Sequence, residues 1–189
     1  MHRLNLIAFF FSVFFAVGAR ADWLVEPFLN YESNSFTEIP KTTLIEQTYE
    51  GTNAALGLSF SYIFSSRFYV GLSAQASSVA ALTLKNSNIN YSTGSAGLVL
   101  GYEVNRWRFE AGYNASQTLS LSPGTKLEEK FSGTSVHALI GYMIFNYVSL
   151  NLNYSVYDFS KINAADIKNT FKSVDCSAYG LGISFPYIF

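Results

Sequence analysis

The sequence predicts an all-β fold, an eight-stranded antiparallel transmembrane up-and-down β-barrel. Three observations predict it. Eight segments alternate large apolar residues with small or polar ones, the links between them are short and long in turn, and the chain closes on the aromatic rhythm Phe185-Pro186-Tyr187-Ile188-Phe189. Residues two apart on a strand share a face. Phe185, Tyr187 and Phe189 therefore continue the face of Tyr179, Leu181 and Ile183, and Gly180, Gly182 and Ser184 take the other. Bulk on one side and small residues on the other suit a strand with lipid outside and a crowded lumen inside.

The elements follow in order. His2 and Arg3 precede an apolar run over residues 4–18 broken only by Asn5 and Ser12, and Ala19-Arg20-Ala21 places small residues where a signal peptidase reads them. Residues 1–21 are therefore expected to be a cleaved leader. The run falls short of the ~20 residues a spanning helix needs. Residues 22–189 then form one barrel domain. Strands are predicted over residues 23–31, 54–64, 68–76, 96–104, 107–115, 136–144, 148–156 and 178–189, each close to the ~9–11 residues of a tilted membrane strand. Trp23, Val25, Leu29 and Tyr31 share the first apolar face, opposite Glu26, Phe28 and Asn30. Leu56, Leu58 and Phe60 oppose Gly57 and Ser59 in the second, and Leu98 and Leu100 oppose Gly97 and Gly101 in the fourth. The links at 65–67, 105–106 and 145–147 are tight turns, and those near 32–53, 77–95, 116–135 and 157–177 are long and polar. An even strand count lets the sheet close without an unpaired edge in lipid.

Composition fits this class. Charged residues are 13% of the chain, about half the usual share, yet no mature segment reads as a membrane-spanning helix. Removing Arg3 and Arg20 with the leader leaves 10 basic residues against 13 acidic ones, a net charge of −3 that argues against nucleic acid as a partner. The single cysteine, Cys176, excludes an internal disulfide and reads as a small residue of the last strand.

Alternation alone does not fix which face is outside, since a soluble barrel with an apolar interior also alternates. The apolar face carries both tryptophans and most of the bulk, which an eight-stranded lumen has little room for. The polar face collects Gly57, Gly71, Gly97, Gly101, Gly112, Gly141, Gly180 and Gly182, which make room for Tyr69, Arg108 and His137. Aromatics gather near the short turns, among them Trp23, Phe68, Tyr102, Trp107 and Tyr147, as in an interfacial belt. The apolar face is therefore read as the outside.

Candidate site residues then lie in the lumen: Glu26, Glu103, Arg108, Glu110 and His137. The two-residue turn at 105–106 sets Glu103 opposite Arg108, where neighbours stand about 5 Å apart, so a Glu103–Arg108 salt bridge is expected. Arg108 among three carboxylates reads first as a polar network, because buried charges must be paired. Ser135, His137 and a glutamate are the residue types of a hydrolytic triad, although an inward histidine is more often a hydrogen-bonded interior residue. Residues 161–172 can form a short helix, with Ile162, Ala165 and Phe171 on one side. No metal-ligand spacing, phosphate loop or nucleophile elbow is present, so no cofactor is expected.

The mature chain is similar to small eight-stranded outer-membrane β-barrel proteins, such as the transmembrane domain of outer membrane protein A, outer membrane protein X and opacity-type proteins. The resemblance rests on the eight-strand pattern and on the terminal Tyr187-Ile188-Phe189. It implies a place in the bacterial outer membrane, contact with its lipid and lipopolysaccharide, and an assembly signal at Phe185, Tyr187 and Phe189 read by the barrel assembly machinery. It also implies a non-enzymatic scaffold whose four long loops meet host or cell-surface ligands. Two alternatives stand beside that reading. One is a lipid A-modifying enzyme built on His137 and Ser135; the deacylases of this kind carry a His-x-Ser order facing the membrane, whereas Ser135-Val136-His137 runs the other way and faces inward. The other is a narrow pore or a carrier of small hydrophobic molecules.

Overall fold

A computed structural model describes residues 22–77, 80–84, 87–122 and 129–189. The expected leader and residues 123–128 of the third long link lie outside the described residues. Eight strands close into one ring: β1 (Asp22–Pro40), β2 (Gln47–Ile63), β3 (Phe68–Ser77, resuming as Ala80–Leu84), β4 (Ser87–Val104), β5 (Trp107–Ser122), β6 (Glu129–Phe145), β7 (Val148–Ile162) and β8 (Phe171–Ser184, resuming as Tyr187–Ile188). Every neighbouring pair is antiparallel, and β8 returns to pair with β1, so the sheet has no open edge. No helix among the described residues is long and apolar enough to cross a membrane; this chain crosses with strands.

The short-turn ends stand where alternation puts them. Asn105 and Arg67 take the left-handed backbone, with φ of 56° and 66°, in the tight turns that join β4 to β5 and β2 to β3. Asparagine accepts that conformation more readily than most residues. A ring of exposed apolar side chains surrounds this half, including Leu56, Leu72, Leu98, Leu152 and Leu181. At its lower margin aromatic rings pack along the girdle: Trp23 stacks on Phe60 at 4.8 Å, Phe68 meets Tyr102 at 4.7 Å, and Trp107 meets Tyr142 at 4.9 Å. Exposed apolar area on this scale is the surface a barrel turns to lipid.

The outer ends differ from expectation. β1 spans 19 residues and β2 spans 17, and most of the segments read as polar loops are strand. The reason is a change of sense. Above the girdle the outward positions turn polar, as at Ser33, Ser35 and Thr37, while the inward positions turn apolar. Phe36, Tyr49, Tyr91, Leu119, Leu121, Phe131, Tyr157 and Phe159 form a core inside this outer half. Phe36 meets Phe131 edge-on at 5.1 Å, and Tyr157 stacks on Phe159 at 6.1 Å. A bulge in β5 helps to build it. The register steps from Asn114↔Ser135 to Gln117↔Gly133, which moves the inward face from even to odd positions and carries Leu119 and Leu121 inside.

Two smaller corrections follow. The segment expected to form a short helix holds a two-residue strand, Ala165–Asp166, and a single 3₁₀ turn, Ile167–Asn169, capped by Asp166, whose carboxylate accepts from the Lys168 N–H at 2.9 Å. Ile162 and Phe171 are buried there, but Ala165 is exposed. The last strand is also not continuous. Its ladder to β1 breaks between Ser184 and Tyr187, where Pro186 on one strand and Pro27 on the other lack the N–H a ladder needs.

Candidate functional site in the lumen

The inner half of the lumen is polar because its strands point glycine, serine, asparagine and charged residues inward. Arg108 of β5 is its centre and is fully buried. Its guanidinium grips both carboxylate oxygens of Glu26 on β1, across the barrel. Its Nε donates to the Tyr69 hydroxyl at 2.8 Å, and its Nη2 lies 3.3 Å from Glu110 Oε2. Tyr69 donates to the same Glu110 oxygen at 2.8 Å. The other Glu110 oxygen lies 3.5 Å from His137 Nε2. Planar, two-pronged pairing of arginine with carboxylate is the strong form of this interaction.

Four of the five lumen residues singled out in the sequence thus come together: Glu26, Arg108, Glu110 and His137. Glu103 does not join them. It stands opposite Arg108 in the ladder as expected, but the guanidinium turns across the lumen to Glu26. Among the described residues Glu103 forms no ion pair. The expected Glu103–Arg108 bridge is therefore corrected to Glu26–Arg108. Strand neighbours are fixed by the ladder, whereas a long side chain reaches across a narrow barrel to whichever charge stands at its level.

Alternation places Tyr69 on the inward face, and the structure adds it to the network between Arg108 and Glu110. The signal for this lay in a glycine opposite. Tyr69 pairs with Gly101 in the ladder, and a Cβ at position 101 would collide with the Tyr69 ring. His137 pairs with Gly112 in the same way, and its ring occupies the space a Cβ would take. Both of these inward rings have a glycine beneath them.

Ser135 and His137 are neighbours on the inward face of β6 but do not engage one another. Ser135 donates to Gln117 Oε1 at 3.1 Å and accepts from Asn114 Nδ2 at 2.8 Å. His137 Nδ1 lies 3.5 Å from the same Asn114 nitrogen. A cavity of about 40 Å³ extends from this charged cluster, with Arg108, Glu110 and His137 in its lining as well as Asn30, Glu32, Gln75, Asn153 and Tyr157. Farther out, the apolar core closes the lumen. Burial there raises the Glu38 carboxyl above its usual range, the largest influence, against the Tyr49 hydroxyl that donates to it at 3.2 Å. Burial also pushes the Cys176 thiol up to about 12.

At the short-turn end of the girdle, where the barrel closes, Phe185, Tyr187 and Phe189 are exposed, and the Trp23 and Phe189 backbones bond each other in both directions, at 3.2 and 3.0 Å.

No family model and no curated protein sequence matches this chain. Solved structures do. The attachment invasion locus protein Ail of Yersinia pestis, solved in complex with the heparin analogue sucrose octasulfate, superposes with a TM-score of 0.57 at 10% identity, covering 89% of this chain and 100% of that one. Outer membrane protein OprG of Pseudomonas aeruginosa gives 0.54 at 14% identity, covering 88% and 96%. Neisserial surface protein A gives 0.53 at 10% identity, covering 85% and 97%. The fold is that of small outer-membrane β-barrels, and together with the apolar girdle it locates this chain in the outer membrane.

Proposed function

We propose that this chain is a non-enzymatic surface protein of the outer membrane, a closed barrel that carries long hairpins into the outside medium. The observation that supports this reading best is the apolar core of the outer half. It holds the hairpins as a rigid continuation of the barrel and closes the lumen beneath them. A conducting pore has no need of Phe36, Phe131 and Phe159 across its mouth. The lipid A-enzyme reading draws less support, because Ser135 donates to Gln117 and not to His137, and both lie inside the barrel, away from lipid.

The contact surface is the outer rim. Lys41, Lys130, Lys161, Lys168 and Lys172 are exposed there, and Leu44 and Ile45 project at the tip of the first long hairpin, 67% and 64% exposed. The exposed acids Glu46, Asp166 and Asp175 stand among these lysines, so the rim is mixed in sign, and its charged groups together with the apolar tip suit a charged, partly apolar surface, either lipopolysaccharide or that of another cell. Phe185, Tyr187 and Phe189 are proposed as the segment the barrel assembly machinery reads. Cells bearing the intact chain, or one with residues 41–46 replaced by a two-residue turn, test this reading. Adherence to cell monolayers should drop severalfold in the trimmed variant while the folded barrel persists. Lipid A from both strains should have identical mass. Altered acyl chains in the strain with the intact protein, restored by His137→Ala, would make the chain an enzyme.

A further inference from the structure

We propose that the lumen binds one hard, oxygen-ligated cation, held by the Glu32 carboxylate with the side-chain oxygens of Asn30 and Asn153. Glu32 is 2% exposed and has no cationic side chain within 4 Å, unlike Glu26 and Glu110. One of its oxygens accepts from Gln75 Nε2 at 3.5 Å, the Asn30 side chain stands beside the carboxylate as a second neutral donor, and Oε2 has no close partner of its own. A buried carboxylate held by neutral amides, with no cationic side chain in ion-pair contact, is costly.

Two further acceptors share the condition. Asn30 Oδ1 and Asn153 Oδ1 are buried without a donor, and Asn30 itself is 4% exposed. All three residues line the same cavity. The ladder explains why they meet. Glu32, Gly180 and Asn153 stand in one row across β1, β8 and β7, and Asn30 faces Gly182 in a neighbouring row. A Cβ at Gly180 would lie 2.6 Å from Asn153 Oδ1 and 3.2 Å from the Glu32 Cα, and one at Gly182 would overlap Asn30 Oδ1. The two glycines leave hollows in the wall of β8, and the oxygens that settle in them flank Glu32.

The chemistry of the set selects a cation. A protonated Glu32 would supply one hydrogen and the unpartnered Tyr157 hydroxyl in the same cavity another, which still leaves one of the three acceptors without a donor. One carboxylate with amide oxygens is the ligand type of Ca²⁺, Mg²⁺ or Na⁺ and not of a thiolate- or imidazole-seeking metal. No group of three or more His, Cys, Asp or Glu among the described residues is placed to hold a metal ion, so amide oxygens would have to complete the set. A cavity of about 40 Å³ has room for an ion and a water or two that complete its shell.

The full barrel, refolded in detergent micelles with Ca²⁺, Mg²⁺ or Na⁺ and then desalted, tests the site by metal analysis and thermal unfolding. The expected result is about one retained ion per chain and an unfolding midpoint several degrees higher with that ion than with chelator. Glu32→Gln should lose both. Should that variant not fold, Asn153→Ala should retain less metal than the native chain, and Asn153→Asp should retain more, since it adds a second carboxylate. Two results would overturn the site. One is no retained metal and equal midpoints in all three salts, which would assign these oxygens to water. The other is a cation effect that survives Glu32→Gln, which would move it to the exposed acids of the outer face.

Discussion

The two halves of the barrel, stacked along its axis, use the same alternation in opposite senses. In the inner half Leu72, Leu98 and Leu152 face out and Arg108, Glu110 and Asn151 face in. In the outer half Ser33, Ser35 and Thr37 face out and Phe36, Phe131 and Phe159 face in. One continuous set of hydrogen-bonded strands serves both, because the ladder does not depend on which face is apolar. The solvent around each half decides the sense. Lipid selects apolar exteriors and water selects apolar interiors, so the comparison marks where the membrane ends.

The largest effect should come from removing the charge that organises the inner half. Arg108→Ala leaves Glu26 and Glu110 buried without their cation, and breaking such a pair costs about 3–5 kcal/mol. Urea unfolding of the refolded barrel should show the loss, and Glu26→Gln in the same chain should recover part of it. If the double variant is no more stable than the single one, the pair across the lumen is not the organising contact. Phe131→Ala tests the outer half. It removes a fully buried ring and should cost about 3 kcal/mol, read as faster proteolysis of the hairpins while the girdle half keeps its anomalous migration on unheated gels.

A matched pair of charges probes the boundary itself. Leu72→Arg, at a position 60% exposed in the girdle, should cost about 2–4 kcal/mol because the charge must enter lipid. Ser160→Arg, equally outward but in the outer half, should stay within about 0.5 kcal/mol. Equal costs would place both positions on one side of the interface. The smallest effect concerns pH. Burial raises the folded Glu38 carboxyl above its unfolded value of 4.5. The folded state therefore binds the extra proton, and its stabilisation is complete below 4.5 and lost as pH rises through the folded value. Thermal midpoints of the outer half should fall over that window, and Glu38→Gln should flatten the profile.

The inner half was legible because lipid imposes bulk outside and glycine inside, a contrast that Leu56 beside Gly57 or Leu181 between Gly180 and Gly182 displays without ambiguity. The short turns were legible for the same reason, since the alternation stops and restarts around them. The outer half was hidden twice. Its alternation inverts, so Phe36 between Ser35 and Thr37 reads as one apolar residue in a polar loop. The bulge in β5 then breaks the two-residue phase between Asn114 and Gln117, so Leu119 and Leu121 fall out of step with Arg108 and Glu110. Of the lumen network, the inward facing of Glu26, Arg108, Glu110 and His137 followed from parity alone. Which carboxylate Arg108 takes did not, because Glu26 lies 82 positions away and reaches it only once the barrel has closed.

The inversion also constrains the order of assembly. A finished outer half is water-coated outside, so it cannot be drawn through a bilayer as a folded body. Its hairpins must cross while still open, with Phe36, Tyr91 and Phe131 bare, and collapse on one another only on the far side. The apolar core that crowns the barrel is then a latch set after passage: once these rings have packed, the hairpins cannot slip back through the membrane they crossed.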